Sequence, residues 1–151
     1  MSKHRTRRTN ATARSVNETL VASGLVELAL GALSGWPYAL AVDDPDAARR
    51  LGVRSVGRLR QWHLDLIALG ALTVLIGSAV PDLPRRVAWP LAVGAWTNAN
   101  AFGVLALRPE LKEHPLYKAS VVASFATVSW GCCGLAAIGV GRRVRAQPKA
   151  T

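Results

Sequence analysis

Apolar residues in this 151-residue chain gather into four long runs, at residues 20–42, 64–80, 87–107 and 119–141. The hydrocarbon core of a bilayer is about 30 Å thick and takes about 20 helical residues to cross, with 17 still workable. Lipid offers no partner to a stray backbone N–H or C=O, so runs of this kind must cross as helices. The pattern predicts an all-α chain folded as an integral membrane four-helix bundle. Residues 1–17, polar and basic, read as a disordered tail. Residues 18–141 form the bundle, and 142–151 a second basic tail.

The connectors are short. The first opens with Asp43-Asp44-Pro45-Asp46, a turn or helix start, and the Arg-rich stretch 47–61 reads as an interfacial helix feeding the second span. Residues 81–86 make a tight link. Residues 108–118 contain Pro109 and His114-Pro115, and both prolines oppose helix continuation. Trp36, Trp62, Trp89 and Tyr117 fall near span ends, where amphipathic rings settle among headgroups. Ala39-Leu40-Ala41 looks like a signal-peptide cleavage site, but the long polar leader and Glu27 inside the apolar run favour a retained span.

Charge refines the picture. The net charge is +10, which in a soluble protein would point to nucleic acid. Here the basic residues cluster at span ends, where lipid headgroups and topology signals require them, so no nucleic-acid partner is expected. The two tails and the 81–86 link carry eleven Lys and Arg against eight in the other two loops. That excess predicts a multi-pass cell-membrane protein with both termini cytoplasmic and residues 43–55 and 108–118 outside. Cys132 and Cys133 are adjacent within the fourth run, a poor arrangement for a disulfide or a metal site.

Small residues mark the packing faces. Ser120, Ser124, Thr127, Gly131 and Gly134 form one stripe on the fourth span. Gly24, Gly31 and Gly35 recur on the first, and Gly70 and Gly77 lie one heptad apart on the second. Helices approach closely along such stripes.

Few polar groups lie within the runs. Glu27 shares the glycine side of the first span; it is either a functional acid or a protonated one bonded to a Ser, Thr or Asn of a neighbouring helix. His63 opens the second span and shares a face with Gly70 and Gly77. The room above those glycines suits a flat cofactor or a close helix, and neutral imidazole is a good iron ligand. An interfacial histidine meeting headgroups and water is the plainer alternative. Asp65 points nearly opposite to His63, beside Gln61 and Arg58. In Trp96-Thr97-Asn98-Ala99-Asn100 the two amides face opposite sides of one helix. That helix must be covered on both sides, as between two subunits of an oligomer, unless one Asn lines a wet crevice within a monomer. There is no GxSxG, P-loop, HExxH or dinucleotide fingerprint.

Four short spans, Trp62-His63 through Gly70, and Trp96-Thr97-Asn98 through Phe102 together resemble the styrene-oxide isomerase and hydroxylaminobenzene mutase family, over about residues 58–141. The resemblance implies a homotrimer holding haem b between subunits, with His63 as the iron ligand. Gly70 and Phe102 would lie against the cofactor and Asn98 would contact substrate. It further implies a redox-neutral rearrangement of a small apolar or aryl substrate, epoxide to carbonyl, with ferric iron as Lewis acid. Leu69, Gly94 and Phe102 stand where the family carries Asn, Asp and Tyr, and none of the three can replace those hydrogen bonds. The rival expectation is a non-catalytic membrane protein whose polar groups serve helix packing or partner binding.

Overall fold

A computed structural model describes the backbone of residues 2–146 and the side chains of residues 15–146. The described chain is all-helical, with no strand. Helix α1 runs Ser2–Asp43, α2 Pro45–Arg50, α3 Val56–Ala79, α4 Arg85–Leu107 and α5 Pro115–Ala146, with a 3₁₀ turn at Pro109–Glu113. Three of these hold stretches long and apolar enough to cross a membrane: Ser15–Asp43, Val56–Ala79 and Pro115–Ala146. Helix α4 has 23 residues, a spanning length, but its middle carries Thr97, Asn98 and Asn100, and it does not join those three.

Local chemistry sets the boundaries. The Asp44 side chain caps α2 by accepting from the Ala47 N–H, and Pro45 takes the first helical position, where no N–H is needed. Gly52, with φ of +92°, turns the chain out of α2. Ser55 then caps α3, its hydroxyl accepting from Arg58 N–H, so helix begins eight residues before the apolar run. The N–H groups of Arg54 and Ser55 both donate to Ala106 O, fastening this turn to the end of α4. The single interfacial helix expected over 47–61 is therefore two helices with a turn between them.

The expected tail boundary also moves. Helix extends from Ser2, and Val16 is already buried. Asn17 acts as a clamp: its Nδ2 donates to Gly77 O (2.8 Å) and Val80 O (2.7 Å), while its Oδ1 accepts from Leu83 N–H (3.1 Å). One side chain thus satisfies carbonyls at the end of α3 and an amide of the following turn. At the other end, α5 continues to Ala146, and Arg142 donates to Pro81 O. The side chains of Lys3, His4, Arg5, Arg7, Arg8 and Arg14, and all of residues 147–151, lie outside the described part.

Glycines bring the helices together. A Cβ on Gly24 would fall 2.7 Å from Gly70 O, and one on Gly31 2.8 Å from Ile67 Cγ1, so α1 and α3 pack nearly backbone to backbone. The small stripe of α5 receives α4: a Cβ on Gly131 would meet Leu91 at 2.7 Å, and one on Gly134 would meet Val87 at 2.8 Å. Thr97 and Ser124 hydroxyls meet across the same seam at 2.8 Å. Among the long helices, α5 packs on α4 alone, whereas α4 touches α1, α3 and α5. Helix α4 is therefore covered on two sides by its own chain. The outward surface is apolar, with Leu33, Trp36, Leu75, Val122 and Trp130 all more than 60 % exposed, the surface that lipid contact suits.

Candidate functional site

His63 is the eighth residue of α3, two turns inside the helix, rather than at its entrance. Its ring lies against α1. A Cβ on Gly35 would sit 3.2 Å from its Cε1, so the glycine makes room for the imidazole. Tyr38 stacks on the ring, centroids 5.9 Å apart and planes 21° from parallel. His63 Nδ1 lies 2.8 Å from Gly31 O and 3.2 Å from Ser34 Oγ, and Ser34 in turn donates to Gly31 O at 2.7 Å. A carbonyl only accepts, so Nδ1 carries a hydrogen, and in the neutral ring the lone pair is on Nε2. This is the arrangement that orients ligating histidines: one ring nitrogen anchored on a backbone carbonyl, the other left for a metal.

The other expected site residues do not converge on that nitrogen. Gly70 is buried against α1, where a Cβ would come within 2.8 Å of Leu28 N and 2.9 Å of Gly24 O. The room expected along His63, Gly70 and Gly77 is filled by a helix, and Gly70 has no free surface for a cofactor. Phe102 lies under the Arg58 guanidinium, 5.5 Å from the ring centroid. Arg58 precedes His63 by five residues, which is about 140° round the helix, so Phe102 packs on a different side of α3. Asn98, one turn before Phe102, is half-buried and makes no side-chain hydrogen bond among the described residues. Leu69 is half-buried. Asp65 accepts from Gln61 Nε2 at 2.7 Å, the pairing its spacing predicts. His114 sits in the loop and accepts from Leu116 N–H. No cluster of three or more His, Cys, Asp or Glu side chains fit for a metal occurs among the described residues.

Sequence reasoning missed a polar chain through the bundle. Trp62 Nε1 donates to Asn100 Oδ1 (3.2 Å), Asn100 Nδ2 to Trp96 O (2.8 Å), and Trp96 Nε1 to Ser23 Oγ (2.9 Å). These bonds link α3, α4 and α1. The one hint was the spacing of Trp96 and Asn100, four apart; nothing in the sequence reveals that Trp62 turns inward rather than to headgroups. Glu27 is the second surprise. It is wholly buried, and neither carboxyl oxygen has a hydrogen-bond partner, the only such side chain among the described residues. Of the two readings of this acid, the one bonded to a Ser, Thr or Asn of a neighbouring helix finds no such partner here.

No family model, curated protein or solved structure matches the chain.

Proposed function

We propose that this chain is a multi-pass membrane protein with all four long helices in the bilayer, both termini cytoplasmic, and a haem b iron ligated by His63 Nε2. The Nδ1 hydrogen bond to Gly31 O carries this reading, because it holds the imidazole in one tautomer and leaves Nε2 without a protein partner. The family resemblance implies the rest: ferric haem held by His63 would supply Lewis acidity for a redox-neutral rearrangement of a small apolar or aryl epoxide.

The protein's own part is positional. Gly31 and Ser34 fix the imidazole edge, Gly35 admits the ring, and Tyr38 covers one face. Phe102, on α4, packs against another side of α3 from His63, so a site using Phe102 and Asn98 together with His63 would take the two sets from different copies. That is the arrangement a homotrimer with cofactor between subunits supplies. The test is absorbance of protein purified with ample haem: an intense Soret band in the native chain, lost in His63→Ala, supports the reading.

A second reading has its own observation. Gly24, Gly31, Gly70 and Gly77 all pack at the α1–α3 seam, so the features that suggested a cofactor slot also serve helix packing. On this reading the chain is a non-catalytic membrane protein, and it follows if no haem binds.

A further inference from the structure

The unpartnered acid lies at the end of a polar ridge. Ser15, Thr19, Ser23 and Glu27 recur at every fourth position of α1, and exposure falls along them: Ser15 and Thr19 are exposed, Ser23 half-buried, Glu27 sealed. Thr19 and Ser23 line a cleft of about 320 Å³ between α1 and α4, closed opposite by Arg85, Trp89 and Ala92. Side chains on an α-helix lean toward its N-terminus. That tendency directs Glu27 toward the turn of Ser23, the most buried hydroxyl of the cleft; Glu27 itself does not line the cleft. A cleft of this size, with hydroxyl groups on its wall, has room for several waters.

We propose that Glu27 is a proton-binding site served by water through the α1–α4 cleft from the Arg85 side of the protein. The step is a simple transfer: hydronium in the cleft gives its proton to a Glu27 carboxylate oxygen, leaving water and a neutral carboxylic acid, and the reverse returns it. No other bond changes. The occupant is a proton rather than a metal cation, because hard cations take six or more oxygen ligands. The most buried polar side chain lining this cleft is Ser23, and one turn beyond it Glu27 offers a single carboxyl group. Arg85 at the mouth further opposes a metal cation.

The charged surroundings are sparse. On α4 the only basic side chains before Arg108 are Arg85 and Arg86, and α3 carries no charge after Asp65, which is bonded to Gln61. His63 on α3 is held on Gly31 O, one turn along α1 from Glu27. Glu18 on α1 lies near the outer end of the ridge, and the charges of α2 flank the opposite end of α1. Glu27 is thus the one acid between Glu18 and Asp43 on its helix, and intramembrane acids in such positions serve proton relays. The proposal does not depend on any ligand at His63.

The test is infrared difference spectroscopy of the full chain in lipid nanodiscs, between acid and alkaline pH, in H₂O and D₂O. A carboxylic C=O band that appears with acid, shifts in D₂O and vanishes in Glu27→Gln is the expected result. In Ser23→Leu or Thr19→Leu, which plug the cleft with an apolar side chain, the prompt D₂O shift should be lost. Native protein showing no pH-dependent carboxylic band, or a band that does not shift in D₂O, overturns the proposal. A shift equally prompt in both plugged variants overturns the route.

Discussion

Replacing Gly70 by alanine separates a helix seam from a cofactor slot. In an open helix interior the change from Gly to Ala stabilises by about 1 kcal/mol. At Gly70 the new methyl would lie 2.8 Å from Leu28 N and 2.9 Å from Gly24 O, both backbone atoms. Ordinary carbon contacts need about 3.5–4.0 Å, so α1 and α3 must move apart by more than half an ångström along their whole seam. Overpacking of this sort costs about 1–3 kcal/mol. Gly139 on α5 is the control, since a Cβ there meets nothing within 4 Å. Gly70→Ala should therefore be less stable than Gly139→Ala by about 1–3 kcal/mol. Unfolding of each purified variant by SDS in mixed micelles, followed by circular dichroism, measures the difference. Equal stability would refute the close seam and reopen the space above Gly70.

Other outcomes follow from particular contacts. Asn17→Ala frees two carbonyls and one amide at the α3–α4 turn and should lower stability by about 1–3 kcal/mol in the same SDS titration. Asn100→Leu leaves Trp62 Nε1 without its acceptor, at about 0.6 kcal/mol for an average interhelical bond. Because that bond lies within one chain, the unfolding midpoint should fall while the mass by light scattering stays unchanged. Glu27→Leu should be at least as stable as Glu27→Gln, since no protein partner is left stranded; a clear loss for Leu alone would reveal a hidden partner. Reporter fusions after residue 50 and after the C-terminus should report opposite sides of the membrane.

Much of the architecture was legible. Helix α5 and the Ser15–Asp43 part of α1 follow from apolar runs, and the glycine spacings marked the faces that meet. The start of α3 was not, because Arg58, Arg60 and Gln61 interrupt the apolar pattern while helix forms regardless under the Ser55 cap. The cover of α4 was open for a different reason. Periodicity shows that both faces of Trp96–Asn100 need cover, but not which helix supplies it; within the chain, α3 and α5 do. At the candidate site, the choice of His63 needed only its place among glycines. Its anchoring on Gly31 and Ser34, and the loss of Gly70 to the α1 seam, depend on the register between two helices 30 residues apart in sequence. The isolation of Glu27 depends on every neighbour at once, which no local pattern reports.

Ligation of haem iron by His63 Nε2, as proposed, is tested most directly by the visible absorption spectrum of the protein purified from haem-supplied cells, beside His63→Ala and His114→Ala. An intense Soret band in the native chain and His114→Ala, absent from His63→Ala, is the predicted result. No Soret band in the native chain, or an unchanged band in His63→Ala, would contradict it.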